Sequence, residues 1–243
     1  MQQDDGFFTG DNPLWDRAMR LLAHPYFALA HSLQWYGADN VPPSGPAIIA
    51  PNHQSFYDPV VVTLAAGRRI VYMGDETFFR HPLIGSLMRL HGCVPVGERP
   101  YAPGAYGKLL RTLHEGHLCG IFPEGRRTSD GLLNPGKPGV AALALASGAP
   151  VIPVTVHGAC RAWPIGQALP RPAPIKLLFG RPMVFAASRS ARRDPHIREE
   201  ATRQIMLKIA DGFAELGRPD IASAARCKVL AEPTDAPPAA RTG

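Results

Sequence analysis

A histidine and an aspartate five residues apart, His53 and Asp58, are the first groups in this chain whose types and spacing suit chemistry. They stand in the run Asn52-His53-Gln54-Ser55-Phe56-Tyr57-Asp58-Pro59, directly after the apolar stretch Ala47-Ile48-Ile49-Ala50. A loop that follows a buried strand is a usual place for functional residues in α/β proteins. A tight turn there brings Asp58 back onto the imidazole. An Asp–His pair fixes the tautomer and supports the imidazolium that forms when the histidine takes a proton. Such a base needs no separate nucleophile if the substrate brings its own hydroxyl. The same spacing also suits a structural arrangement, with Asp58 as a helix N-cap, Pro59 at the first helical position and His53 as an ordinary loop residue.

A second run, Phe122-Pro123-Glu124-Gly125-Arg126-Arg127-Thr128, follows another buried apolar stretch. A turn with a carboxylate, a flexible glycine and two guanidinium groups can hold a phosphate or a polar headgroup, although charged glycine turns are also common on plain surfaces. Arg99 lies just past the apolar Cys93–Val96 stretch, and Lys137 lies in a Gly-Lys-Pro-Gly turn before a helix, where anions are favoured. Strand ends of this kind converge at one edge of a parallel sheet. Other chemistries lack their signatures. Ser55 has no Gly-x-Ser-x-Gly elbow, His114 and His117 do not form His-Glu-x-x-His, and no residue set has zinc-ligand spacing. The four cysteines include no Cys-x-x-Cys pair and read as reduced, mostly buried thiols.

These loops need strands and helices to hold them. Strands are expected at 47–52, 69–73, 93–96, 118–122, 151–156 and 175–179, and helices at 59–66, 77–89, 103–115, 139–147 and 194–216. Alternating strands and helices predict an α/β fold: a single domain with a mainly parallel or mixed sheet covered by helices. Residues 14–36 are apolar and aromatic and read as two short helices broken at Pro25. They either pack on the core or lie in a bilayer interface with Trp15, Tyr26, Phe27, Trp35 and Tyr36 at headgroup level. Residues 1–40 are thus an N-terminal apolar helical segment and candidate membrane-surface anchor, 41–220 the catalytic domain, and 221–243 a loose tail.

Composition agrees with this picture. The 243 residues are 45% hydrophobic and 19% charged, which excludes a disordered chain or a coiled coil. Gly and Pro, 24 and 26, are numerous but below the level of low-complexity chains. The net charge of +6 favours an anionic partner. No basic-aromatic cluster supports a nucleic acid as that partner. The start, Met-Gln-Gln-Asp-Asp, is acidic where a signal peptide is basic, and no apolar run reaches 18 residues.

Taken together, the runs resemble the glycerolipid acyltransferases of the 1-acylglycerol-3-phosphate acyltransferase type. That family's first motif, Asn-His-x-Ser-x-x-Asp-Pro, is matched by residues 52–59. Its third, Phe-Pro-Glu-Gly-Thr-Arg-Ser, is matched at Phe122, Pro123, Glu124, Gly125 and Arg127, with departures at Arg126 and Thr128. Val94-Pro95-Val96-Gly97-Glu98-Arg99 resembles the second with one extra residue, and the strand containing Pro153 resembles the fourth. The resemblance covers about residues 45–182. It implies transfer of a fatty acyl group from acyl-CoA or acyl-carrier protein to a lysophospholipid hydroxyl, with 1-acylglycerol-3-phosphate as the first acceptor. Other lysolipid or glycolipid acceptors, such as a lyso-ornithine lipid or a phosphoinositide mannoside, and non-catalytic lipid binding are the alternatives. Under it His53 and Asp58 are catalytic. Arg99, Glu124, Gly125, Arg127 and Lys137 hold the phosphate or headgroup, and Pro153 shapes the acyl site. No cofactor or metal is needed, because a thioester is already activated. The partners are the two substrates and a membrane surface, with the protein peripheral on its cytoplasmic face.

Overall fold

Ala47–Pro51 (β2) is buried at every residue, as an unbroken apolar run requires of a strand covered on both faces. It is the middle strand of a seven-stranded sheet in a computed structural model that describes residues 17, 19–91, 93–96 and 103–231. The other strands are Gln34–Tyr36 (β1), Ile70–Asp75 (β3), Val94–Val96 (β4), Leu118–Gly120 (β5), Val151–His157 (β6) and Lys176–Phe179 (β7). Their spatial order is β1-β7-β6-β2-β5-β3-β4. Every neighbouring pair is parallel except β6–β7. The mixed α/β sheet expected from the alternation is therefore the one found.

Parallel neighbours require crossover connections, and helices supply them. Asp58–Ala66 (α2) joins β2 to β3, Glu76–Phe79 (α3) and Pro82–His91 (α4) join β3 to β4, Pro103–His114 (α5) joins β4 to β5, and Gly139–Ser147 (α6) joins β5 to β6. His24–His31 (α1) precedes β1. Ala159–Ala162 (α7), Arg189–Arg193 (α8), Pro195–Glu215 (α9) and Pro219–Ala231 (α10) follow β6. Two cores flank the sheet, and the strand pleat sorts residues between them. Ile49 joins Val61, Tyr72, Ile152 and Phe27 on one face. Its neighbour Ile48 joins Leu109, Leu143, Ile209 and Phe213 on the other.

The two short helices expected before residue 34 are present as a π-helix, Met19–Ala23, and α1, and Pro25 lies in the first turn of the second, where its missing N–H leaves no bond unmade. Two local expectations change. Gln34–Tyr36, expected as helix, is an edge strand beside β7, held in parallel register with Lys176–Leu178. Residues 221–231, expected in the loose tail, belong to α10, which buries Ala222, Ala225 and Val229 against α9. The small residues of α10 gave little periodic signal, and α9 supplies the apolar surface that they fit. Cys93 and Cys119 are buried as expected, whereas Cys227 is exposed. Among the described residues no helix is long and apolar enough to cross a membrane.

β2, β3, β4, β5 and β6 all run in one direction. The loops after β2 and β5 therefore open at the same edge. β5 lies directly beside β2, so the loops after these two strands are immediate neighbours.

Candidate active site

Asp58 is the first residue of α2 and fully buried, but it does not cap that helix. The cap position is Tyr57, which makes no side-chain cap bond. Asp58 instead turns its carboxylate back across the preceding loop. Its Oδ2 accepts hydrogen bonds from the backbone N–H of Gln54 at 2.5 Å and of Ser55 at 2.7 Å. The same oxygen lies 2.8 Å from His53 Nδ1. The loop is thus wound around one carboxylate oxygen, and the imidazole is aimed by it. With Nδ1–H donating to Asp58, Nε2 is left as the ring's acceptor. The His53 side chain is 20% exposed, so the ring is reachable from outside.

Phe122 stacks on the imidazole with centroids 3.9 Å apart and planes 20° apart, and Tyr72 stacks behind Phe122 at 5.6 Å. Asn52 fixes the strand end from the other side. Its amide donates to Val156 O at 3.0 Å and accepts from Val156 N at 2.6 Å, extending the β2–β6 ladder through a side chain. Ser55 Oγ donates to Trp163 O at 3.0 Å, a bond that ties it into the loop.

Glu124 joins the two loops. One carboxylate oxygen accepts from His53 N and the other from Asn134 N, each at 2.7 Å. Thr128 N returns a bond to His53 O at 2.8 Å. Glu124 is 1% exposed, and burial pushes its pKa up to about 8 against the pull of those two donors. Glu124, expected to hold the headgroup, is buried beneath the site with both oxygens accepting from backbone, where it braces the loop that carries His53.

Arg127 does lie beside the dyad. Its guanidinium carbon sits 3.7 Å from the centre of the Phe56 ring. Burial draws its pKa down and the charge of Asp58 draws it up. Arg127 Nη1 and Asp58 Oδ1 are buried, and neither has a hydrogen-bond partner among the described residues. Gly125 has φ +65°, and a Cβ there would lie 3.0–3.2 Å from the end of the Lys137 side chain. Only glycine suits that position, which lets Lys137 lie across the turn. Lys137 N donates to Pro123 O at 2.7 Å, and a small cleft opens between Lys137, Phe122, Met73 and Val140. Arg126 is exposed.

The structure thus gathers His53, Asp58, Gly125, Arg127 and Lys137 at one sheet edge, with Glu124 beneath them. Arg99 lies outside the described residues. Pro153 is not gathered with them. It is buried in the middle of β6, opposite Ala50, and packs where a Gly180 side chain would otherwise stand. The stack of Phe122 on His53, the Asn52 clamp and the Asn134 contact were missed in the sequence. Phe122 and Asn52 carried a signal as strand-end residues of the two runs. Asn134 carried none, because its bond to Glu124 is made by backbone.

A histidine oriented by a buried carboxylate, with Arg127 and Lys137 on the neighbouring turn and loop, is an arrangement able to take a proton from a polar group. The family described as Acyltransferase matches residues 32–157, which contain the dyad and the Glu124–Arg127 turn, and the chain belongs to this acyltransferase family. Over 159 residues it is 30% identical to a 1-acyl-sn-glycerol-3-phosphate acyltransferase of Bacillus subtilis (strain 168), covering 64% of this chain and 76% of the relative. Over 165 residues it is 31% identical to a chloroplastic 1-acyl-sn-glycerol-3-phosphate acyltransferase of Brassica napus, covering 63% of this chain and 48% of that one. This chain therefore spans about half the length of the Brassica relative. The crystal structure of the 1-acyl-sn-glycerophosphate (LPA) acyltransferase PlsC from Thermotoga maritima shares the fold. Its TM-score is 0.62 at 22% identity, covering 82% of this chain and 83% of that one.

Proposed function

We propose that this protein transfers a fatty acyl group from an acyl thioester to the free hydroxyl of a lysophospholipid, with 1-acylglycerol-3-phosphate as acceptor and phosphatidic acid as product. The observation that carries the reading is the His53–Asp58 pair. Asp58 holds Nδ1, so Nε2 is the atom that meets substrate. In the proposed step the acceptor hydroxyl gives its proton to Nε2 while its oxygen bonds to the thioester carbonyl carbon. The tetrahedral intermediate then collapses, the C–S bond breaks, and the imidazolium returns the proton to the departing thiolate. Asp58 stabilises the transient imidazolium. Arg127 and Lys137 hold the acceptor's phosphate beside the base, and Gly125 leaves room for Lys137 to do so. Acyl-CoA or acyl-carrier protein serves as donor.

The acceptor is a bilayer lipid, so the protein must meet a membrane surface. The exposed Leu21, Leu22 and Leu29 support docking through the N-terminal helical segment, with the protein peripheral on the cytoplasmic face. The aromatic residues of this segment divide between the two roles weighed for it. Phe27 is buried in the core, Tyr26 donates or accepts at the Tyr57 hydroxyl at 2.6 Å, and Tyr36 is 49% exposed. Trp15 lies outside the described residues. Replacing Leu21, Leu22 and Leu29 by Ser is expected to abolish flotation with anionic liposomes. Undiminished flotation of the folded variant removes this docking mode.

The test of the activity is thiol release from a long-chain acyl-CoA in the presence of liposomes carrying lysophosphatidic acid. Release that depends on the acceptor and is lost in folded His53→Ala supports the reading. Release that survives His53→Ala unchanged overturns it.

A further inference from the structure

We propose that residues 163–173, between β6 and β7, are a second membrane-contacting element, which places Ile165 and Leu169 among the lipids of an anionic bilayer. This rests on the reading that the acceptor is a bilayer lipid, and goes beyond the helical segment already assigned to docking.

The sheet register puts this loop at the catalytic edge. β2 runs parallel to β6 with Pro51 opposite Val154, and the Asn52 amide bonds to Val156 at the strand end next to His53. β6 ends at His157, which pairs with Lys176, the first residue of β7. Lys176 pairs in turn with Gln34, the first residue of β1. The β6–β7 connection and α1, which leads into β1, therefore meet the sheet at the edge where the dyad stands. Side chains join the three. Trp163 packs on Phe56 and Tyr57, with ring centroids 5.7 and 5.1 Å apart, and its carbonyl accepts from Ser55 Oγ. Phe27 and His31 of α1 also pack on Tyr57, at 4.8 and 5.1 Å. His31 O accepts from Ile175 N at 2.9 Å, and His31 Nδ1 lies 3.2 Å from Ala173 O. The loop and α1 are thus bonded to each other and packed on the residues between His53 and Asp58.

The loop is preformed. Arg171 N donates to Ala162 O and Arg171 Nε to Arg161 O, each at 2.8 Å, and Trp163 Nε1 donates to Gln167 O at 2.9 Å. Pro164, Pro170 and Pro172 restrict it further. A loop so constrained has little freedom left to lose on contact. It nevertheless leaves Leu169 79% and Ile165 42% exposed. Among the described residues ten large hydrophobic side chains are exposed, and six of them lie in residues 21–29 or 165–169. Single exposed apolar residues are ordinary, but their gathering on two bonded neighbours at one edge is the pattern of an interaction surface.

Charge selects what covers that surface. Arg161 and Arg171, both exposed, bracket the loop. No Asp or Glu occurs between Asp130 and Asp194, or between Asp16 and Asp39. An apolar tip flanked by cations and free of acids matches an anionic lipid surface, where the aliphatic side chains enter the acyl boundary and the guanidinium groups meet phosphates. A second copy of this chain, with its own net charge of +6, would bring like charges together here.

The test is flotation of the full chain with liposomes of phosphatidylcholine alone and of phosphatidylcholine mixed with phosphatidylglycerol. Ile165→Ser/Leu169→Ser is expected to lower partition onto the mixed liposomes roughly ten- to a hundredfold. Arg161→Gln is expected to lower it roughly fivefold, on the mixed liposomes only. Thermal melting checks that both variants are folded. A nitrobenzoxadiazole label on Leu169→Cys in Cys227→Ser protein reads insertion directly, with Cys227→Ser alone as the labelling background. Its emission is expected to rise and shift to the blue on the mixed liposomes. A folded Ser pair that floats like wild type overturns the proposal, as does a label that does not respond or a wild type that floats with neither liposome. A label already blue-shifted without lipid, in a protein that sediments as a dimer, gives the loop to a second copy and also overturns it. Neither readout needs turnover. An inserted label in a protein that transfers no acyl group therefore refutes the proposed reaction and not the loop, and acyl transfer to liposomal lysophosphatidic acid with an unmoved label refutes the loop alone.

Discussion

Asp58→Asn separates the electrostatic role of the dyad from its architecture. Asparagine has the size of aspartate, and its carbonyl oxygen can still accept from Gln54 N and Ser55 N, so the loop keeps its winding. That same oxygen is the one against His53 Nδ1, so it goes on accepting from Nδ1–H and the tautomer is kept, while the amide NH2 takes the place of the buried Oδ1. What the substitution removes is the charge. Opposite unit charges 2.8 Å apart attract by about 6 kcal/mol at an effective dielectric near 20, and solvent at the partly exposed ring reduces this to roughly half. About 3 kcal/mol off the transition state is on the order of a hundredfold. The expected outcome is kcat lowered about a hundredfold, with the melting temperature nearly retained, read by thiol release at saturating acyl-CoA and acceptor. A folded Asp58→Asn protein within tenfold of wild-type kcat would refute the reasoning, because Asp58 would then matter only for winding the loop.

Glu124→Gln puts an amide donor against one of the two backbone N–H groups that Glu124 now accepts, and costs roughly 1–3 kcal/mol of stability by denaturant titration. The raised pKa of Glu124 means that the native state holds its proton above the unfolded value of 4.5, so wild-type stability falls as pH rises toward about 8. The gap between wild type and Glu124→Gln is expected to narrow over that range, by up to about 1.4 kcal/mol per pH unit, and a constant gap refutes it. His157 runs the other way. Burial and the nearby Arg218, Arg161 and Lys176 lower it to about 4, so stability is lost as pH falls from 6.5 toward 4. His157→Asn should flatten that acid limb in thermal unfolding, and an unchanged slope tells against it. A Cβ at Gly120 would lie 2.1 Å from the fully buried Tyr72 ring, so Gly120→Ala should destabilise the fold by about 3 kcal/mol and disturb the Tyr72–Phe122–His53 stack. A variant of normal melting temperature would mean that Tyr72 can move.

Much of the site was legible because catalytic loops follow strands and strands announce themselves by apolar runs. Ala47–Pro51 read as buried, and His53 and Asp58 followed at a spacing that admitted a dyad or a helix cap. The structure decides between these, since Asp58 leaves the cap position to Tyr57 and turns back to the imidazole. The last helix and the first strand were less legible. Gln34–Tyr36 is a strand only because β7 offers it an edge, and α10 is ordered by its fit to α9. Local periodicity carries no record of such partners.

By itself the sequence determined the alternation of strands and helices, the two loops that hold the candidate site, and the residue types that give one of them a histidine–aspartate pair and the other its cations. These depend on local pattern, which a chain cannot hide. Only the tertiary structure decided that β5 lies beside β2, and with that adjacency came everything that distinguishes the Glu124 of this site. A carboxylate in a charged glycine turn reads as a ligand for substrate. Placed under the neighbouring loop it becomes a buried brace, because two backbone N–H groups 71 and 10 residues away in the chain reach it first. Phe122 likewise reads as a core aromatic and becomes the face on which His53 rests. Strand order is a non-local property, set by which faces and edges can be buried together, and it assigned these two residues their work.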